Sequence, residues 1–561
     1  MMSELIFWMP EKKGTKALNE FVRTRLNSGK TGFHDPLQKM HLKTFSNTMK
    51  AKRKQSSKQS MKTDLDFFAR ALVIAQIRQM DLRDVFSFEV GHLPLALAST
   101  NGTLCKTAKA KLSQLLERKT LTPEDRPVGS VLIIDRMVLI HIIRKLPATF
   151  EDLAHEILQL VIKQADEFGP VKRVDFVCDS YQKSSIKGIE RRERSQSGIL
   201  QVKITKGSQK CPTQWQKFLA SNENKKALIK FPKTEWQSGN YVHILGDKKL
   251  YITDSQECYV LSAQSNSVVT STIVPELYST AEEADGRLIL HVYHASQTGH
   301  TTIFIKSPDT DVEVLALFCQ AIIPAKLILV SGTQRKQRFI DIQQLAGEWG
   351  QEVCKALPGL HAFTGSDSTS AFCGKGKKIS LNLVEKGIGV MACQTLGDDF
   401  QVTSELYDAC EQFTLHLYGS TSSHNINEAR YNLFCTISHQ SQQLPPTRDA
   451  LNKHIKRADY QAILWKRALQ LNENVPSPDE HGWQSGDREL VVCWTKQEPA
   501  PKTLMEFASC SCKSTCSTRC CTCRGLDLPC TAACRCYDSC QNSRATTLQE
   551  DAGETDSDLD I

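Results

Sequence analysis

No apolar run in these 561 residues is long enough to cross a membrane as a helix. The longest, 312–332, is broken by Glu313, Gln320, Pro324 and Lys326. The start, "MMSELIFWMPEKK", carries an acid where a secretory signal has a base, and its apolar stretch is short. Internal repeats are absent, and so is a Walker-type phosphate loop, which argues against a P-loop nucleotidase. The chain therefore reads as intracellular, and there its 21 cysteines point to metal ligands or free thiols rather than disulfides.

Charge of one sign is not scarce, but it is unevenly placed. The net charge is +8, yet the last twelve residues, "EDAGETDSDLDI", hold six acids and no base, leaving the body near +14. That basic excess permits a polyanionic partner. Residues 39–64 are basic and rich in Ser and Gln, as in an exposed linker; "KAKRK" (50–54) within them has the form of a nuclear import signal or of a solvated loop. Nuclear localisation is the expectation.

Five regions follow. Residues 1–128 form a helical N-terminal region containing the basic linker, with no chemistry evident in 65–118. Residues 129–400 alternate short apolar runs with amphipathic stretches, which predicts an α/β fold with a mostly parallel sheet and helices on both faces. The strands are "SVLIID" (130–135), "RVDFVCD" (173–179), "TTIFIK" (301–306) and "KLILVS" (326–331), and the clearest helix is 148–169. "YVHIL", "KLYIT" and "CYVLS" within 241–262 read as a small antiparallel insertion. Residues 401–505 are helical and end in a linker with "EPAPK", 506–545 hold a cysteine block, and 546–561 are an acidic tail.

The α/β region collects carboxylates. Asp135 ends the first strand, Asp179 the second, and Asp309 with Asp311 follows the third, at the strand ends that form the ligand crevice of open α/β sheets. Glu283 and Asp285 open a helix, and Asp367 sits in the glycine-bearing "TGSD" loop. An aspartate after a strand is often only a helix N-cap, and Asp179 and Asp309 could each be that. Seven anions in one crevice would repel, and hard divalent cations relieve the repulsion. Two Mg²⁺ or Mn²⁺ ions about 3.5–4 Å apart can stabilise both the attacking and the leaving oxygen of a phosphodiester. Arg136, next to Asp135, could pair with it.

In this order the residues resemble the flap-endonuclease branch of the PIN-like nucleases. "VLIID" is similar to that family's first strand and metal aspartate, "EEAD" to its E-A-E pair, and "SPDTDVEVL" to its D-x-D segment. "VDFVCDSYQKSSIKGIERRERS" resembles its basic helix, and "TGSDSTSAFCGKGKK" its G-x-D loop leading into a glycine-rich helix–turn–helix. The resemblance implies that the seven acids hold two Mg²⁺ ions. It also implies that Lys187, Arg191 and Arg192 act on the scissile phosphate, a solvated charged helix face being the plain alternative. Gly374, Lys375, Gly376 and Lys377 would contact duplex DNA. Segment 196–275 does not resemble the family's helical arch.

The block "CSCKSTCSTRCCTCRGLDLPCTAACRCYDSC" (510–540) has ten cysteines. With Cys520 set aside, Cys510, Cys512, Cys516, Cys521, Cys523, Cys530, Cys534, Cys536 and Cys540 can satisfy three tetrahedral Zn²⁺ ions if three sulfurs bridge. Few apolar residues are available there, so metal would supply the folding energy. The spacing resembles the CXC domains of tesmin-like proteins, which implies DNA binding, with Lys513, Arg519, Arg524 and Arg535 placed for phosphates. The whole chain resembles animal proteins that join a PIN-like region to a CXC block and are associated with mobile elements. His291 and His294 read as packing or surface residues. Two functions are thus expected: a metal-dependent, structure-selective DNA nuclease tethered by its zinc module, or a DNA- or chromatin-binding protein with a degenerate nuclease fold. A transposase-type RNase H fold would not account for the G-x-D loop running into "GKGKK".

Overall fold

In the computed structural model the chain forms two compact units, Met1–Thr63 and Asp64–Ile561. The structure describes residues 18–27, 67–117, 129–143, 145–180, 186, 201–264, 268–333, 336–436, 441–471, 475–486, 490–513, 515–525, 528–530, 534–536 and 540–542. In the first unit, 18–27 are helical. The basic linker, "KAKRK", the acidic tail and the basic segment with Lys187, Arg191 and Arg192 lie outside the described residues.

In the second unit, helix α1 (67–77) and α2 (Ala110–Leu116) precede strand β1 (Val131–Asp135). Helix α3 (Phe150–Asp166) starts where the Thr149 hydroxyl accepts from the Asp152 amide. Then come β2 (Arg173–Val177), β3 (Lys249–Asp254), β4 (Glu257–Gln264), β5 (Val268–Ile273), α4 (Ala284–Gln297) and β6 (Thr302–Lys306). They are followed by α5 (Thr310–Cys319), β7 (Lys326–Thr333), β8 (Lys336–Asp341), α6 (Gln351–Phe363), α7 (Lys377–Glu385) and α8 (Arg448–Lys466).

Eight strands form one sheet in the order β5-β4-β3-β2-β1-β6-β7-β8. The five from β3 to β7 run parallel, while β4, β5 and β8 are antiparallel additions at the edges. The sheet is mostly parallel and carries helices on both faces. The two-residue side-chain period sorts each central strand between those faces. Val131 and Ile133, Ile303 and Ile305, and Leu327 and Leu329 face the core under α4, α5 and α6. Leu132, Ile134, Phe304, Ile328 and Val330 face the core under α3. Strands buried on both sides in this way read as continuous apolar runs, which is why they are visible in the sequence.

The reading of 241–262 is corrected here. "YVHIL" is not a strand: Tyr241 closes a short 3₁₀ turn and Val242–Leu245 is a helical turn. Gly246, at φ +57°, ends that turn in a conformation a branched residue resists. The antiparallel strands are also no separate insertion, because β3 pairs in parallel with β2 and joins the main sheet. Nor do residues 67–117 stand apart from the α/β region. Leu112, Leu115 and Leu116 of α2 lie in the core beneath the sheet. Phe67, Ala71 and Ala75 of α1 pack on Ala500 and Leu504, so the "EPAPK" linker is docked rather than free.

Candidate metal centre

Strand order decides where the acids meet. The chain steps outward from β1 to β2 and β3, then returns to β6 and β7 on the other side of β1. The β1–β6 boundary is thus the switch point at which open α/β sheets form a crevice beyond their carboxyl ends. Asp135 lies opposite Val177, two residues before Asp179, and Ile134 lies opposite Lys306, three residues before Asp309. Asp135, Asp179 and Asp309 therefore stand along one edge by register.

The remaining acids are brought there by backbone bonds. Asp179 accepts from the Ala284 amide at 2.9 Å, and the Ser180 amide donates to the Glu282 carbonyl at 2.8 Å. These contacts fix the start of α4, with Glu283 and Asp285, against the end of β2. Carboxylate oxygens of Asp285, Asp309 and Asp311 lie within 4.8 Å of one another. Asp309 is both a cap and a member of this cluster: its side chain accepts from the Asp311 amide at 3.2 Å. Asp135 likewise caps the helix after β1, through Met137 at 2.9 Å. Capping and clustering coexist because a carboxylate has lone pairs for both.

Asp367 arrives from the loop after α6. Gly365 makes that loop possible, since it adopts φ +102° and a Cβ there would lie 2.7 Å from Ala371. What joins Asp367 to the others is a residue in which sequence reasoning saw no chemistry. Lys109, just before α2, places Nζ 2.8 Å from Asp309, 3.3 Å from Asp311 and 3.1 Å from Asp367. Burial disfavours its charge, but Asp311, Asp309, Asp367 and Asp285 outweigh that and raise its pKa.

The far side of Asp311 is equally occupied. His361 Nε2 lies 2.8 Å from Asp311 Oδ1. Lys377 Nζ reaches His361 Nδ1 at 2.7 Å, the His361 carbonyl at 2.8 Å and Thr364 Oγ1 at 2.9 Å. With Nδ1 accepting from the lysine, Nε2–H is the tautomer that donates to Asp311. The imidazole stacks on Trp465 at 5.3 Å, and burial, then Lys377, lower its pKa to about 4. Burial, then the neighbouring Asp179, pushes Asp135 up to about 7. Burial and Asp311 raise Asp309 as well, against the pull of Lys109.

Two further residues, Lys377 and Arg136, depart from expectation, while His291 is the packing residue it reads as. Lys377, expected at a duplex, is 1% exposed, and its Nζ reaches Asp311 through His361 instead, with burial lowering its pKa. Arg136 does not pair with Asp135. It is fully buried, donates to the Leu228 carbonyl at 2.8 Å and lies over the Phe176 ring. His291 is internal too, with Nδ1 2.7 Å from the buried Asp175 that Arg173 grips with two hydrogen bonds. Gly374 is exposed at φ +73°, Gly376 caps α7, and half-buried Lys375 lies over the Tyr418 ring.

The donor set suits a hard divalent cation: oxygens only, from several elements, with those of Asp285, Asp309 and Asp311 within 4.8 Å of one another, a bound that admits the roughly 4.2 Å across an Mg²⁺ octahedron. The ammonium of Lys109 marks the place as one that holds positive charge.

The second centre is made of sulfur. Cys510, Cys516, Cys521, Cys523, Cys530, Cys534 and Cys536 form a buried cluster, with Cys512 and Cys540 packed against it and Cys520 exposed. Sγ atoms lie 3.9 Å apart for Cys510–Cys516 and Cys510–Cys530, 3.7 Å for Cys521–Cys530 and 3.6 Å for Cys523–Cys534. These separations are too long for S–S bonds. They match the edge of about 3.8 Å expected of a tetrahedron with Zn–S near 2.3 Å. Three overlapping tetrads can be drawn: Cys510, Cys516, Cys521, Cys530; Cys510, Cys530, Cys534, Cys536; and Cys516, Cys530, Cys536, Cys540. The cluster suits zinc. Lys513, Arg519 and Arg535 are exposed around it, whereas Arg524 donates to the Cys516 carbonyl at 3.1 Å.

No protein-family model matches the chain, and no curated protein matches it. Among solved structures it is similar to a bacteriophage T5 flap endonuclease in complex with DNA and metal ions. The identity is 12% over 61% of this chain and 98% of that chain, with a TM-score of 0.28. At that level the reading rests on this chain's own residues.

Proposed function

We propose that the chain is a PIN-like, metal-dependent nuclease that hydrolyses phosphodiester bonds of DNA, with preference for branched or single-stranded structures. Asp135, Asp179, Glu283, Asp285, Asp309, Asp311 and Asp367 would hold two Mg²⁺ or Mn²⁺ ions. When bound, the ions would supply Lewis-acid stabilisation of the reacting phosphate oxygens. The observation that carries this reading is the convergence of acids from β1, β2, α4, α5 and the Gly365 loop on the switch-point edge of the sheet.

In this reading His361, backed by Lys377, keeps Asp311 aimed, and Lys187, Arg191 and Arg192 meet the scissile phosphate. Lys375 and the backbone at Gly374 and Gly376 face the duplex. The cysteine block, with three Zn²⁺ ions as in CXC domains, anchors the enzyme on DNA through Lys513, Arg519 and Arg535, phosphate contacts that carry no sequence information themselves. Nuclear localisation and an origin in a mobile element belong to the same proposal.

Lys109 also favours a second reading, a DNA- or chromatin-binding protein whose acids are neutralised internally. Cleavage of branched and single-stranded DNA in Mg²⁺ or Mn²⁺, beside Asp309→Ala and Asp367→Ala, separates the two. Activity lost in both variants is expected. Wild type and variants that are equally inert while DNA binding persists would leave the second reading standing.

A further inference from the structure

Lys109 is more than one more charge near the acids. Its three ammonium hydrogens meet three carboxylates, those of Asp309, Asp311 and Asp367, which come from two separate segments of the chain. Those are also oxygens a divalent ion would need. A dication about 2.1 Å from the same atoms would bring two positive centres within a few ångströms in a part-buried site, so the two occupants exclude each other.

We propose that Lys109 is a built-in counter-cation of this centre: its ammonium sits where a divalent ion binds, and metal loading proceeds by displacing it. This rests on the nuclease reading, because it concerns the same carboxylates.

The surroundings permit such an exchange. The Lys109 side chain is 26% exposed, so it already borders solvent, and its four-carbon stem is flexible. The backbone of its segment is fixed independently. The Ala371 amide donates to the Cys105 carbonyl at 2.8 Å, the Cys373 amide to the Ala96 carbonyl at 2.8 Å, and Lys106 Nζ to the Asp367 carbonyl at 2.5 Å. The loop carrying Asp367 therefore stays on the 96–106 segment when the ammonium leaves. Asp311 also stays oriented, because His361 holds its other oxygen. The exchange replaces one monovalent internal cation by a divalent external one and leaves the cage standing. Without Lys109, the metal-free cage would lose its neutralising charge and gain affinity for any dication that fits.

The test uses the zinc-loaded full chain with Mn²⁺ as the probe, free Mn²⁺ being read by electron paramagnetic resonance. Lys109→Met is expected to bind Mn²⁺ about tenfold more tightly than wild type. Its metal-free melting temperature should be lower and its rise on Mn²⁺ addition larger. A variant-free readout is acetylation of lysines in the wild-type protein followed by peptide mass spectrometry: Mn²⁺ should raise labelling at Lys109 severalfold. Wild type binding Mn²⁺ in a manner abolished by Asp309→Asn, with equal or weaker binding by Lys109→Met, would overturn the exchange and leave the nuclease reading intact. Unchanged or reduced labelling at Lys109 would do the same. No Mn²⁺ binding in wild type or in Lys109→Met would overturn both.

Discussion

At the scale of single residues, the centre depends on side chains that touch the acids rather than on the acids alone. His361 is held between Asp311 and Lys377 with no exposure of its own. His361→Ala should therefore leave a buried lysine and a buried carboxylate without their shared partner. We expect a loss of about 2–4 kcal/mol in chemical denaturation. A loss below about 1 kcal/mol would show that the trio contributes little. Gly365→Ala should cost about 1–3 kcal/mol, because φ +102° and a Cβ 2.7 Å from Ala371 both oppose it. It should weaken Mn²⁺ binding by moving Asp367, whereas Gly374→Ala, with open space at its Cβ, should leave Mn²⁺ binding unchanged. These partners were not legible in the sequence. Acids after strands announce themselves by breaking apolar runs, as Asp135 and Asp309 do. Lys109 lies 200 residues before Asp309 in a segment with no pattern of its own, and only the folded chain brings the two together.

At the scale of elements, what was legible is what burial writes into composition. The parallel strands were visible because both faces are covered, and α3 because one stripe of it is apolar from Phe150 to Ala165. "YVHIL" misled because a short apolar run fits a strand or a helical turn equally well, and Gly246 decides between them. In the cysteine block, spacing set Cys520 apart from the other nine, and the fold leaves it exposed while Cys530 belongs to each possible tetrad. Native mass spectrometry should find three zinc ions per chain in wild type and in Cys520→Ser, and fewer in Cys530→Ser. Equal zinc content in the two variants would contradict the assignment of ligands. Arg70 of α1 donates to the Pro529 carbonyl at 2.7 Å and approaches Cys523 Sγ at 3.8 Å. Removal of zinc by a chelator should therefore speed amide exchange in 67–77 as well as in the block itself.

At the scale of the whole molecule, the buried histidines weigh against stability in acid. Burial, then Lys377, lowers His361 to about 4, and burial, then Arg457, lowers His454 to about 3. In the unfolded chain both titrate near 6.5. Between these values the unfolded state binds more protons, so their contribution is present above pH 6.5 and is lost as pH falls through the folded values. The slope is about 1.4 kcal/mol per pH unit for each histidine. Lowering the pH from 6.5 to 5 should remove about 2 kcal/mol of each histidine's contribution, read as a smaller pH dependence of the denaturant midpoint in His454→Gln than in wild type once the opposite contribution of raised acids such as Asp135 is common to both. The packing of α1 and α2 was not legible in the sequence. α1 and α2 precede the α/β region in sequence yet pack against α/β core and linker residues, a relation that periodicity within a helix cannot express.

The account's central claim is that distant acids share divalent ions at the β1–β6 edge, and anomalous diffraction from crystals soaked in Mn²⁺ tests it most directly. The account predicts peaks within coordination distance of Asp285, Asp309 and Asp311, with Lys109 Nζ moved away from them. Peaks elsewhere, or none at the edge with Lys109 still on its three carboxylates, would contradict it.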